Sequence, residues 1–314
     1  MKLGSSKDND YTEYNSVLYL ATRLVPNYAA TLSIFDGIKK DDPTFKPQTL
    51  FDFGSGVGTT MWAANQVWPN SLSEHFNVDA SEHMNDTSRL LLQIGRERNP
   101  LLYNGVFYRQ FLPVSSVVKY DLVVSAFSLL ELPNSAARVH VIENLWHKTQ
   151  DMLVFIEHGN ISGFAAILEA RNFILQKTGH DVTTTFHVKP IDTEVEDRKP
   201  ENAPTSHIIA PCPHHYPCPR LFTGGSVLCN FQVPYMPLNY GQEKIEIMKE
   251  RFSYIVLRKG QEPVKEKPNW PRVVEPIRKN GGHVACKMCC ADGKLHPVTF
   301  TKSKHKGEKT HIEI

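Results

Sequence analysis

The sequence predicts an α/β fold with a doubly wound, mostly parallel sheet and a short basic β-rich segment at its C-terminal end. Three observations point there. Short apolar strands alternate with helical periodicities between about residues 49 and 177. A glycine-rich turn, Gly54-Ser55-Gly56-Val57-Gly58, joins the first of those strands to the helix after it. The alternation stops at Gly179 and a late strand returns at Phe252–Arg258.

The elements follow in order. Tyr11 to Phe35 reads as helix, because Leu18, Ala21, Leu24, Val25, Tyr28, Leu32 and Phe35 recur at helical spacing. Pro26 lies inside that run and predicts a break or kink. Thr49–Phe53 reads as the first strand, and Met61 to Val67 lies on the helix after the turn. His75–Asp79 is the second strand. Glu82 to Arg98 is the next helix, with Met84, Leu90, Leu91, Leu92 and Ile94 available to be buried. Gly105–Arg109 and Tyr120–Ala126 are strands three and four. Ser135–Lys148 is helix, Met152–Glu157 the fifth strand, and Gly163–Lys177 helix. Residues 181–240 are rich in Pro, Thr, His and Cys with little periodicity. A loop so long inside a domain needs something to tie it down. Phe252–Arg258 is expected to join the sheet antiparallel. His283–Lys287 and His296–Thr301 are short β pieces around a Gly293 turn. The expected division is a helical segment over 1–45, a core over 46–260 with a cysteine-rich insert at 181–240, and a C-terminal segment over 261–314. No internal repeat is found.

Composition limits the function. The 314 residues carry a net charge of +2, so bulk charge selects no partner. Its distribution does: Lys and Arg concentrate after Arg258, with Lys302, Lys304, Lys306 and Lys309 at the end, which fits a polyanion partner. No stretch is long and apolar enough to span a membrane. The opening Met1–Asp8 has no apolar core and no Arg-rich amphipathic pattern. Either a cytosolic location or a missing natural start is expected. Six cysteines without a secretory signal favour metal or cluster ligation over a disulfide framework.

Asp52-Phe53-Gly54-Ser55-Gly56-Val57-Gly58 has the strand–turn–helix context of a nucleotide loop. Its spacing differs from the pyrophosphate-binding Gly-x-Gly-x-x-Gly and matches the first motif of S-adenosylmethionine (SAM) methyltransferases. Asp79, ending the second strand, is placed to accept ribose hydroxyls. Asp52 is placed to hold the ligand's ammonium group. With Gly54, Gly56, Gly58 and Ser125 they make the expected SAM site. After strand four the chain reads Ser125-Ala126-Phe127-Ser128-Leu129-Leu130-Glu131-Leu132-Pro133. The Asn/Asp-Pro-Pro-Tyr/Phe grip of amine-methylating enzymes is absent there, and no cysteine stands ready as a nucleophile. Glu131 and Glu157 are candidate bases, but no catalytic constellation emerges.

The cysteines fall into two islands. Cys212, Cys218 and Cys229 accompany the run Pro211 to Pro219, and Cys286, Cys289 and Cys290 lie near the C-terminal end. Thiolates suit zinc or iron–sulfur centres. Cys286 and Cys289 form a Cys-x-x-Cys pair, which leans to zinc, as do His214 and His215. Pro beside cysteine leans to a cluster. Spacing leaves cluster, zinc and no metal open, and leaves the fourth ligand open among Cys286, Cys289 and Cys290.

Together these stretches resemble a known family: the mitochondrial methyltransferase-like protein 17 group and its yeast and bacterial ribosomal small-subunit relatives. The resemblance rests on Leu50 to Gly58, Ser125 to Pro133, Val154 to Gly159, Ala210 to Pro219 and His283 to Gly293. It implies a class I SAM-methyltransferase (Rossmann-like) fold and a 4Fe-4S cluster on Cys212, Cys218, Cys229 and, counting from His283-Val284 and back from Asp292-Gly293, Cys289. It also implies a mitochondrial matrix location. The implied partner is the small ribosomal subunit and its rRNA, with neither membrane nor DNA. Glu157-His158-Gly159 departs from the Glu-Pro-Gly of relatives.

Three functions are weighed: a weakly catalytic or non-catalytic assembly factor that binds rRNA, an active rRNA methyltransferase, and a redox or iron sensor on a remnant methyltransferase fold.

Overall fold

The computed structural model describes residues 12–115, 117–182, 206–222, 228–241, 244–262 and 269–301. The expectations for residues 1–11, 183–205 and 302–314 lie outside them.

The chain opens with helix α1 (Glu13–Asp41), whose first turn is capped by the Thr12 hydroxyl accepting from the Asn15 N–H at 3.3 Å. Then come β1 (Thr49–Phe53), α2 (Thr59–Val67), β2 (Glu74–Val78), α3 (Glu82–Leu92), β3 (Val106–Arg109), β4 (Tyr120–Ala126), α4 (Ser135–Lys148), β5 (Thr149–His158) and α5 (Ile161–Lys177). Ser81, Asn134 and Asn160 cap α3, α4 and α5 with side-chain oxygens. Strands β6 (Ser206–Ala210), β7 (Phe231–Tyr235) and β8 (Met248–Lys259) complete the large sheet. β9 (Arg272–Val273), β10 (Arg278–Asn280), β11 (His283–Cys289) and β12 (Leu295–Thr301) form a second sheet.

The large sheet runs β3-β2-β1-β4-β5-β8-β6. β1 to β5 are mutually parallel, and β8 is antiparallel to both β5 and β6. β8 is long enough to serve two strands on one side: its first half pairs with β7 and its second half with β6. Alternation along each strand feeds two cores. Leu50, Leu122, Val124, Met152, Val154 and Ile156 meet α1 and α2 on one face. Phe51, Val123, Leu153, Phe155, Ile255 and Leu257 meet α4 and α5 on the other.

Three sequence expectations are corrected. α1 runs unbroken through Pro26, which is itself buried. Burial of Ala30, Ile34, Phe35 and Ile38 beyond it outweighs the ~3 kcal/mol that an interior proline costs. α3 ends at Leu92 rather than Arg98, because Ile94 and Gly95 turn left-handed (φ 56° and 70°) and the Gly95 N–H closes back on Leu90 O at 2.9 Å. Its buried face is Met84, Asn85, Ser88 and Leu92, while Leu90 and Ile94 are exposed. Residues 181–240 are not all loop: β6 and β7 are strands of the main sheet, each too short to show a period.

Candidate functional site

β1 carries Asp52 to the C-terminal edge of the parallel strands, where open α/β sheets bind ligands. The turn after it is built on Gly54, Gly56 and Gly58, all with positive φ (70°, 50° and 84°). Gly54 is required twice over, since a Cβ there would also lie 2.2 Å from the Ser128 Cβ. Gly54 and Ser55 donate their N–H groups to Val78 O at 2.7 and 3.1 Å. Gly56 donates to the Asp79 carboxylate at 2.8 Å, and the other Asp79 oxygen accepts from the Ser81 N–H at 2.9 Å. Burial raises the Asp79 pKa, and those two N–H groups oppose the rise. Each carboxylate oxygen keeps acceptor capacity for a ligand hydroxyl.

Asp52 is buried and neither carboxylate oxygen has a hydrogen-bond partner of ordinary geometry. Burial lifts its pKa to about 7; the nearby Thr60 hydroxyl opposes this and Asp79 adds to it. A carboxylate so placed lacks a neighbouring cation.

Ser125 lies under the turn. Its hydroxyl bonds that of Ser128 at 2.8 Å, and Ser128 donates to Phe53 O at 3.0 Å. Glu157 is buried too, its pKa pushed up to about 7 by burial. One of its oxygens accepts from the Leu129 and Leu130 N–H groups at 2.8 and 3.3 Å. Phe127, next after β4, holds a left-handed φ of 58° and lays its ring 4.9 Å from that of His158.

Sequence reasoning missed the residues that α1 adds. Tyr19 lies over the turn, with ring atoms 3.6–3.9 Å from where a Gly56 Cβ would be. Asn27 donates to the Tyr19 hydroxyl at 2.9 Å, Arg23 to the Asn27 oxygen at 2.7 Å, and Arg23 to Glu250 at 2.9 Å. The spacing 19, 23, 27 was a readable signal, since residues four apart share one helix face.

The cysteines come together elsewhere, in the loop between β6 and β7. Cys212, Cys218 and Cys229 from that loop and Cys289 from the end of β11 line one pocket, beside His214 and Arg220. Two guanidinium groups hold it. Arg171 of α5 donates to the His214 and Tyr216 carbonyls at 3.3 and 2.7 Å. Arg220 donates to Val274 O at 2.6 Å and pairs with Glu275 at 2.8 Å, tying the loop to the second sheet. His214 Nε2 lies 3.3 Å from the Cys289 sulfur. Burial and neighbouring thiols push Cys218 up to about 11, Cys289 up to about 12 and Cys229 well above its ordinary value. Arg171 and Arg220 work against that rise at Cys218.

The residues lining the pocket include neither Cys286 nor Cys290. Cys286 and Cys289 both belong to β11, where residues three apart point to opposite faces. Their spacing is therefore not that of a metal knuckle. Cys290 instead turns the chain, its N–H donating to Lys294 O at 3.0 Å. Among the described residues no three His, Cys, Asp or Glu side chains converge on one point as a single metal ion requires.

The strand order, with an antiparallel strand between the fifth and the last, and the glycine turn at the end of β1 are those of a class I methyltransferase-like domain. Within that class the comparison with known families is specific. The family described as "Mitochondrial small ribosomal subunit Rsm22" matches residues 13–311, and the chain belongs to it. It is 38% identical over 295 residues to the human ribosome assembly protein METTL17, mitochondrial, covering 94% of this chain and 59% of that protein. It is 23% identical to the ribosome assembly protein RSM22, mitochondrial, of Saccharomyces cerevisiae, covering 92% of this chain and 64% of that one. The chain thus spans about three-fifths of these relatives. Among solved structures, the plantazolicin methyltransferase BpumL with SAH is 10% identical with a TM-score of 0.45, over 81% of this chain and 92% of that one. The strand order carries the fold assignment without it.

Proposed function

We propose that this chain acts in the mitochondrial matrix as an assembly factor of the small ribosomal subunit and binds its rRNA. The glycine-turn site takes SAM, the four-cysteine pocket takes a 4Fe-4S cluster, and methyl transfer is weak or absent. Family membership and the ribosome-assembly names of the relatives support the role.

The observation that carries the non-catalytic reading is at the ends of β4 and β5. Where a methyltransferase grips its acceptor, this chain has Phe127 against His158, Ser125 and Ser128 are committed to internal hydrogen bonds, and one Glu157 oxygen is taken by backbone N–H groups. What remains there to take a proton is one buried Glu157 oxygen without a hydrogen-bond partner, which fits weak transfer better than efficient transfer.

Each cofactor fits its residues. Asp52, with its unpartnered buried oxygens, suits the ammonium of SAM, and Asp79 suits the ribose. In the pocket, four thiols line one cavity, and thiolates are the ligands that suit an iron–sulfur cluster. Cys212, Cys218, Cys229 and Cys289 would hold it. Four thiolates around a cluster leave net negative charge, which Arg171 and Arg220 offset. Bound there, it would supply iron–thiolate bonds that join the β6–β7 loop to the second sheet.

Incubation with tritiated SAM and small-subunit rRNA tests the reading. Binding of the rRNA without methyl incorporation above that of Asp52→Ala is expected. Incorporation that disappears in Asp52→Ala would replace it with an active rRNA methyltransferase.

A further inference from the structure

The first half of α1 runs past the C-terminal ends of β1 and β5, from α3 to Glu250 of β8. At its start the Thr87 hydroxyl of α3 donates to the Ser16 hydroxyl at 3.0 Å. One turn on, Tyr19 covers Gly56, with Asp79 and Glu131 near enough to act on its phenol, which burial pushes up to about 12. Another turn on, Arg23 reaches Glu250 of β8 at 2.9 Å and comes within 3.4 Å of His158 at the end of β5. Its guanidinium also stands 6.0 Å from the centre of the Phe127 ring. Tyr240, on the segment between β7 and β8, donates to Ala21 O at 2.8 Å.

The anchors have unequal characters. Beyond Pro26, α1 is held by apolar burial of Ala30, Ile34, Phe35 and Ile38. Before it, Tyr14, Val17 and Leu18 are exposed, and Ser16, Arg23 and the Ala21 carbonyl make polar contacts to α3, β8 and the segment before β8. Pro26 leaves one helix carbonyl without an N–H partner at the junction of these two halves. A segment held by a few polar contacts beside a firmly buried one is the kind that opens locally.

We propose that the first half of α1 is the lid of the glycine-turn site, closed by Tyr19 over Gly56 and latched by the Arg23–Glu250 ion pair. Ligand then enters and leaves only when the latch opens. The proposal rests on reading the turn as a SAM site, and it adds how access to that site is controlled. The chain Glu250–Arg23–Asn27–Tyr19 is continuous in hydrogen bonds, so loss of the ion pair loosens the tyrosine as well as the helix. The lid also covers the side from which a macromolecular acceptor would approach the turn.

The test uses the full chain with two readouts: hydrogen exchange of the 54–58 amides, and release of radiolabelled SAM chased with unlabelled SAM. Arg23→Ala and Glu250→Gln are compared with Arg89→Ala, which removes an exposed pair on α3. Both latch variants should speed loop exchange and ligand release by roughly five- to tenfold, as loss of one charge-assisted contact does. Arg89→Ala should change neither. Glu250→Gln keeps the side-chain shape, so the comparison survives if Arg23→Ala folds poorly. Folded latch variants with unchanged loop exchange and unchanged release would overturn the lid. Faster loop exchange in a protein that binds no SAM in any form would uphold the lid and remove the SAM reading instead.

Discussion

Asp52 concentrates the chemistry of the glycine turn in one side chain. In the folded protein burial pushes its carboxyl up to about 7, against an ordinary 3.8. Between about pH 4 and pH 7 the unfolded chain therefore gives up a proton that the folded protein keeps. Stability contributed by this group is present below that window and falls as pH rises through it. Asp52→Asn removes the buried charge at nearly constant shape. In ligand-free protein it should raise Tm at pH 8 by about 2–4 °C per kcal/mol regained, and give no gain at pH 4, where the carboxyl is already neutral. Thermal melts at the two pH values check this. The same variant should weaken SAM binding about tenfold or more, since the ligand's ammonium loses its partner; calorimetry measures that. A variant that melts as wild type at pH 8 would show that Asp52 finds another partner.

At the scale of elements, the β6–β7 loop depends on things outside itself. It spans Pro211 to Asn230, and its described contacts include α5 through Arg171, β8 through Ser253 and the second sheet through Arg220 and Cys289. Metal bound across such a junction contributes part of its binding energy to folding. Cys218→Ser should leave anaerobically purified protein with little of the roughly four irons per chain that a cubane requires, and with poor solubility. Arg220→Ala keeps every thiol. It should lower iron retention while also lowering Tm, because its buried guanidinium bonds a backbone carbonyl and a carboxylate. Iron and sulfide assays with a visible spectrum decide both. Full iron content in Cys218→Ser would exclude that residue as a ligand.

For the whole molecule, a net charge of +2 cannot hold RNA by itself. Affinity must come from local concentration of charge, and the C-terminal segment has it. rRNA binding should weaken steeply with salt. Deleting residues 302–314, with Lys302, Lys304, Lys306 and Lys309, should flatten the log–log salt slope by up to ~0.7 per lost phosphate contact with single-stranded RNA. Filter binding across a salt series measures it, and an unchanged slope would move the interface elsewhere on the protein.

Much of this architecture was legible in local pattern. β1, β4 and α4 fall where periodicity puts them, because a buried strand or an amphipathic helix writes its environment into consecutive residues. The glycine turn was legible for the same reason, its three left-handed residues Gly54, Gly56 and Gly58 lying within one short stretch of sequence. The extent of α1 through Pro26 was not, because packing of residues far downstream overrode a local penalty. Nor were β6 and β7, which are strands only because β8 offers them an edge. Tyr19 over Gly56, and Arg23 beside Glu250 from 227 residues away, depend on where α1 lands on the sheet. Spacing could say that six cysteines suit a metal; only tertiary packing brings Cys289 beside Cys212, Cys218 and Cys229 and turns Cys286 to the other face of its strand, since side-chain direction in a sheet follows strand register rather than sequence separation.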